Sequence, residues 1–409
     1  MSVDNKIPEI RFEGFSGEWE EKAMLNCSSK IGDGLHGTPT YTDNTGVYFI
    51  NGNNLVSGSI EITNDTKQVE RSEQSKDDLS LDFNTILLSI NGTIGNLAWY
   101  QGQSVMLGKS VAFITLENCD NRYMYSYLQT ERIQNYFLNS LTGSTIKNLG
   151  LKAIRESKVL LPVEKQEQTA IGNTFQKLDS LINQHQQKHD KLSNIKKAML
   201  EKMFPKQGKT IPEIRFKGFS GGWEVKVLGT DVAEIIGGGT PSTSITDFWN
   251  GDIDWYSPTE IGSNVYAEGS QKKITTMGLK SSSAKILPAG NTVLFTSRAG
   301  IGDMAILAKP GTTNQGFQSF IVKEGFSTYF VYSAGKQIKE FALKHASGST
   351  FLEISGKQLG RMKILMPSTE EQTAIGNYFQ KLDALINQHQ QQITKLNNIK
   401  QACLSKMFV

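Results

Sequence analysis

EQTAIGNTFQKLDSLINQHQQKHDKLSNIKKAMLEKMF (167–204) lies over EQTAIGNYFQKLDALINQHQQQITKLNNIKQACLSKMF (371–408) without a gap, and 29 of the 38 aligned positions are identical. The offset is 204 residues in a chain of 409. The same offset relates IPEIRFEGFSGEWE (7–20) to IPEIRFKGFSGGWE (211–224), where two of 14 positions differ. Between these matched ends the halves diverge. The chain reads as a tandem duplication, a near-invariant frame around two different inserts.

Within the repeat, Ile171, Phe175, Leu178, Ile182, His185, His189, Leu192, Lys196, Met199 and Met203 follow steps of four and three. The second copy gives Ile375, Phe379, Leu382, Ile386, His389, Ile393, Leu396, Lys400, Cys403 and Met407. That spacing keeps one stripe in line, as in a coiled-coil seam. Pro205 is expected to stop the first helix. A helix of ~36 residues is a rod of ~54 Å. Two equivalent helices joined through a whole insert most simply pack antiparallel, with a pseudo-two-fold axis. The expected interface is Phe175, Leu178, Ile182, His185 and Leu192 against Phe379, Leu382, Ile386, His389 and Leu396. Polar seam residues cost core but fix register. His185 and His189 are four apart, a spacing that suits a metal, but the second copy has Ile393 where the first has His189. They are read as seam residues, and no metal site is expected.

The bulk numbers suit a soluble globular protein of two to four domains, with 38% hydrophobic and 20% charged residues. No stretch is long and apolar enough for a membrane span, and MSVDNKIPEI has no secretory pattern. Cys27, Cys119 and Cys403 are far apart and unpaired in sequence, which fits reduced thiols in a cytoplasm. Trp19 and Trp223 recur in the frame and are expected in the core.

The inserts, 21–162 and 225–367, carry strand-like runs: VYFINGNNL, TILLSI, LAWY and SVAFITL in the first, DIDWYS, TVLFTS, MAILA and FQSFIV in the second. Each also has helical stretches, 121–138 and 327–344. Each insert is therefore read as an α/β domain. GTP recurs at 37–39 and 239–241, GTIGNLAW (92–99) lies over AGIGDMAI (299–306), and GSTIKNLGLKAIRESKVLLP (143–162) over GSTFLEISGKQLGRMKILMP (348–367). The expected segments are a frame at 1–20, a first domain at 21–162 and a long helix at 163–204. A linker with the repeated frame follows at 205–224, then a second domain at 225–367 and a second long helix at 368–409. Two copies of one fold with altered loops suggest two related recognition tasks.

The frame IPEIRF–G–F–W–E, the GTP and GST turns and the EQTAIGN–F–LD–LI helix together resemble the specificity subunit of type I restriction–modification systems, over essentially the whole chain. The resemblance implies two target-recognition domains, each reading one half of a bipartite asymmetric DNA site, with the helical rod setting the spacer. It also implies double-stranded DNA, two methyltransferase (modification) subunits and restriction/translocase subunits as partners.

No catalytic site is apparent. LGKS (107–110) lacks the glycine spacing of a phosphate loop and runs into a strand pattern. There is no Asn-Pro-Pro-aromatic or HExxH signature. The chain is expected not to be an enzyme by itself, with S-adenosylmethionine, ATP and Mg²⁺ held by partner subunits. Base reading would fall to polar loop residues, since Arg pairs with guanine and Asn or Gln with adenine. The candidates are Arg298, Asn314, Gln315 and Gln318 in the second insert, with Asn91, at an offset of 207 from Arg298, and Lys109 in the first. Thr38, Ser144, Thr145, Lys147, Thr240, Ser349, Thr350 and Lys357 are the phosphate candidates. Fold or turn roles for Asn91 and Arg298, and helix capping by the GST residues, are the alternative readings. The inserts are weakly charged, with 12 Lys/Arg against 13 Asp/Glu from 22 to 162 and 14 against 11 from 225 to 367. Phosphate affinity from this chain alone is then modest. A coiled-coil scaffold with two protein-interaction domains and no DNA is the rival reading.

Overall fold

The computed structural model describes residues 6–145, 147–262, 264–348 and 352–409. The chain forms two units. One comprises Met1–His185 with Gln392–Val409, the other Gln186–Gln391. The sequence boundaries do not show this partition. Each unit takes the N-terminal half of the long helix that follows its own insert and the C-terminal half of the other long helix.

The long helices run Lys165–Lys202 and Thr369–Lys406, 38 residues each. The first ends three residues before Pro205. In the first unit, Phe175 faces Phe408, with ring centroids 5.4 Å apart, and Asp179 pairs with Lys400 at 2.6 Å. One helix number rises as the other falls, so the segments pack antiparallel. The second unit repeats the pattern 204 residues on. Phe379 faces Phe204 at 6.4 Å, and Lys196 pairs with Asp383. The seam stripe is buried or half-buried throughout, including His185, His189 and His389. Its two lysines are the cations of these ion pairs, which is how charged residues persist in an apolar stripe. In the second unit Tyr329 Oη also donates to Asp383 at 2.6 Å, tying helix Thr328–Ser333 to the rod segment. Burial, and then the Asp383 carboxylate, push that phenol well above its usual range. In the first unit the matching lysine, Lys400, instead donates to Gln129 Oε1 at 2.6 Å.

The repeated frame closes each unit. Arg11 forks onto Glu167, both bonds 2.7 Å, and also donates to the Gly17 carbonyl. Arg215 does the same to Glu371, at 2.7 and 2.6 Å, and to the Gly221 carbonyl. Both glutamates are 1% exposed. IPEIRF and EQTAIGN recur together because they hold one buried, bidentate ion pair. Trp19 and Trp223 are core residues, 1% and 3% exposed, packed edge-on against Phe408 and Phe204.

The glycine of EQTAIGN has a steric role. A Cβ on Gly172 would sit 2.6 Å from the Tyr123 backbone N and 2.9 Å from the Arg122 carbonyl carbon, where helix Asn121–Tyr127 presses on the long helix. At Gly376 the nearest atoms are a serine Oγ at 2.8 Å and a Cβ at 3.3 Å. Alanine gains about 1 kcal/mol of helix propensity over glycine, while overpacking costs about 1–3. We expect Gly172→Ala to destabilise the first unit by about 1–2 kcal/mol and Gly376→Ala to be near neutral in the second. Hydrogen exchange at 121–127 and 328–333 would read this, and equal protection in both variants would refute the tight contact.

Each insert is an α/β domain. In the first, an antiparallel sheet runs in the order Ser28–Asp33, Val111–Leu116, Thr85–Ser89, Leu97–Trp99. In the second, the order Ala233–Gly237, Gln318–Val322, Thr292–Phe295, Met304–Leu307 repeats it and adds Tyr266–Ala267 as a parallel edge. A smaller sheet in each contains one parallel pair: Tyr48–Ile50 with Val105–Leu107, and Asp254–Tyr256 with Gly311–Thr313. Each helical stretch is two helices: Asn121–Tyr127 and Glu131–Asn139 in the first domain, Thr328–Ser333 and Gly335–His345 in the second.

Candidate nucleic-acid interface

In the first unit, five connections meet at one end of the sheets. The loop after Ser28–Asp33 is held by Leu35 N donating to the Leu107 carbonyl at 2.7 Å. The approach is close enough that a Cβ on Gly34 would lie 2.1 Å from that oxygen. The Asn51–Asn54 turn joins through Gly52 N to Ser110 Oγ at 2.9 Å, and Ser110 Oγ donates to Asn51 Oδ1 at 3.1 Å. The Gly108–Ser110 turn binds Ile90 N through the Ser110 carbonyl at 2.9 Å. The Asn91–Gly95 turn, with Gly92 and Gly95 at positive φ, follows directly. The hairpin of Leu141–Thr142 and Asn148–Leu149 docks through Leu149 N on the Ile90 carbonyl at 2.9 Å, and pairs Asn91 with Asn148 in an antiparallel bridge.

The second unit builds the same end. Gly239 N donates to the Thr313 carbonyl at 2.9 Å, Ser297 N to the Gly316 carbonyl at 2.7 Å, and Ile354 N to the Ser297 carbonyl at 3.1 Å. Gly238 matches Gly34, and its Cβ would lie 1.9 Å from the Asn314 carbonyl oxygen. Arg298 bridges Glu353 as Asn91 bridges Asn148.

The hydrogen bonds thus equate Asn91 with Arg298, Lys109 with Gln315, and Asn148 with Glu353. The first equivalence matches the 207 offset in the sequence. The second, and the paired residues Asn148 and Glu353, are not singled out by sequence reasoning. The alignment of GSTIKNLG over GSTFLEIS does carry the signal, a neutral amide opposite a carboxylate.

Other candidates are placed differently. Lys109, Thr38, Ser144, Thr145 and Lys147 are exposed at the first unit's loop end. Ser144 and Thr145 lie in a hairpin tip and not at a helix start, so they cap no helix. Thr240 donates to Gln315 Oε1, so these two act together. Asn314 Oδ1 accepts from Gly316 N at 2.8 Å, bracing its own turn. Gln318 is half-buried in its strand, its Oε1 2.6 Å from where a Gly356 Cβ would be. That placement fits packing better than base contact. Lys357 is not the counterpart of Lys147. It lies on helix Gly356–Leu359, which matches Leu151–Glu156, whereas Lys147 sits at the hairpin tip. The GTP turns are two residues out of register, because Leu35 and not Gly37 takes the place of Gly239. Ser349 and Thr350 lie outside the described residues.

LGKS is a turn between strands Val105–Leu107 and Val111–Leu116, with no helix to receive a phosphate. Among the described residues no group of three or more His, Cys, Asp or Glu is placed to hold a metal ion. Burial pushes the Cys119 thiol up to about 12, a poor nucleophile. Among the described residues, no helix is long and apolar enough to cross a membrane.

The two units carry copies of one α/β domain whose equivalent loop ends bear unlike polar side chains. The chain belongs to the type I restriction modification DNA specificity domain family, whose model matches residues 37–194 and 220–398. It is 37% identical over 191 residues to the MjaIX specificity subunit of Methanocaldococcus jannaschii, covering 46% of this chain and 44% of that one. It is 34% identical over 173 residues to the EcoR124I/EcoR124II specificity subunit of Escherichia coli, covering 40% and 42%. The match thus spans less than half the length of these relatives. The fold resembles the crystal structure of a type I restriction-modification S subunit from M. genitalium, with TM-score 0.63, 17% identity, and coverage of 98% of this chain and 99% of that one.

Proposed function

We propose that this chain is the DNA-sequence-reading subunit of a type I restriction–modification complex. Each unit reads one half of a bipartite, asymmetric site, and the paired long helices set the number of unread bases between the halves. The observation that carries this reading is the equivalence of the two loop ends combined with their unlike side chains: Asn91, Lys109 and Asn148 in one, Arg298, Gln315 and Glu353 in the other. Unlike readers on like scaffolds give a non-palindromic target. Ser144, Thr145 and Lys147 at the hairpin tip, and exposed Thr38 in the loop after Ser28–Asp33, suit phosphate contact.

In this reading the chain is not itself an enzyme. Two modification subunits, which methylate adenine, and the restriction/translocase subunits assemble on it and hold S-adenosylmethionine, ATP and Mg²⁺. The weak charge of both inserts fits a complex in which partners supply much of the phosphate contact. The work would take place in the cytoplasm. A structure similar in fold, with TM-score 0.51 and 16% identity, comes from a study of complex assembly and conformational transition of the type I system.

The test is selection from randomised duplexes by the chain assembled with its methyltransferase partner. A split motif with an unread gap is the expected result. Absence of sequence preference would support the protein scaffold instead.

A further inference from the structure

We infer that Glu353 and Asn148 are specificity-determining residues, each acting with its cross-strand partner to read both bases of one base pair. The Arg298–Glu353 pair reads G·C in one half-site, and Asn91–Asn148 reads A·T in the other. The inference rests on the DNA-reading function proposed above.

Arg298 and Glu353 are directly opposite in an antiparallel bridge, and the adjacent bond, Ile354 N to the Ser297 carbonyl, is 3.1 Å. Directly opposed residues put their side chains on the same face, close enough to touch. A guanidinium and a carboxylate so placed would ordinarily join. Yet among the described residues Arg298 and Glu353 form no ion pair, and neither side chain has a hydrogen-bond partner there. Both are half-buried, which limits their freedom to swing into solvent. Arg298 is further confined by the neighbouring turn, where a Cβ on Gly316 would lie 3.4 Å from its Nε. The result is a donor fork beside an acceptor, both open.

The major-groove edge of a G·C pair is complementary to that arrangement. Guanine offers two acceptors, O6 and N7, to an arginine fork, and cytosine offers its N4 donor to a carboxylate. Asn91 and Asn148 occupy the same bridge in the first unit, held by Leu149 N on the Ile90 carbonyl at 2.9 Å. One amide matches adenine N6 and N7, and the other can donate to thymine O4. The same backbone device thus carries two chemistries, and each suits one kind of base pair.

The experiment uses the full chain with its methyltransferase partner and bound-site selection on randomised duplexes. The unsubstituted complex should select at least one G·C pair in one half-site and one A·T pair in the other. Arg298→Ala and Glu353→Ala should relax preference at the same single G·C position and weaken binding to the selected site roughly 10- to 100-fold. The A·T half should be unchanged. Arg298→Lys keeps the charge without the fork, so it should lose discrimination at that position while the salt dependence of binding stays as it was. Asn148→Ala should relax one A·T position only. Relaxation at two different positions by Arg298→Ala and Glu353→Ala would overturn the inference. Uniform weakening on all sequences with a shallower salt dependence, the signature of phosphate contacts, would also overturn it. If the unsubstituted complex selects no split site, the proposed function itself fails. A split site lacking the G·C pair would sink only the paired-reading inference.

Discussion

Glu371→Ala should lower the stability of the second unit by about 3 kcal/mol, and a unit of roughly 200 residues should then melt ~6–12 °C earlier. Glu371 is 1% exposed and takes both prongs of Arg215. Removing it leaves a guanidinium in a site that is 15% exposed, with, among the described residues, only the Gly221 carbonyl still bonded. Breaking a buried pair from one side costs about 3–5 kcal/mol. The residual water and carbonyl at Arg215 place this case at the low end. Replacing both partners by apolar residues, Arg215→Met with Glu371→Leu, should recover most of the loss, because no charge is then stranded. The first unit, with its own Arg11–Glu167 pair, should keep its transition. Differential scanning calorimetry would show it as one shifted and one unshifted component. A double variant as unstable as Glu371→Ala would mean that the pair does more than satisfy its own charges.

Much of this architecture is readable from the chain, for definite reasons. The 3.5-residue stripe survives translation into packing because a seam depends only on local spacing. Asn91 and Arg298 fall together because the strands before the two turns start at Thr85 and Thr292, at the same 207 offset. What was not legible depends on contacts distant in sequence. Lys196 and Lys400 stand out as anomalies in the stripe, but their partners Asp383 and Asp179 lie on the other helix copy, beside the stripe and not in it. The partition into units was hidden for the same reason, since each unit borrows half a helix from the other repeat. Lys147 and Lys357 both follow a GST turn. The hairpin register shows that one is in the turn and the other on the next helix. Glu353 and Asn148 carry no local sequence signal, because each is set by a bridge to a residue more than 50 positions away.

The second large effect concerns recognition. The two inserts are closed by the same antiparallel base strands and differ at the loop ends. Residues 225–367 should therefore be exchangeable as a block for the equivalent insert of another specificity subunit. The strand pairing Glu224–Val227 with Lys363–Met366 closes that block at its base, and Arg215, Glu371 and the long helices lie outside it. The exchange leaves Asn91, Lys109, Asn148 and the helix seam untouched. A change of base preference confined to one half-site follows if each unit reads alone, and the gap stays constant if the helices set it.

The most direct measurement is the methylated motif obtained with such an exchanged chain, assembled with the methyltransferase subunit of the proposed complex and read by methylation-sensitive sequencing. The account predicts a new sequence in one half, with the other half and the gap as before. Alteration of both halves, or a motif unchanged by the exchange, would contradict it.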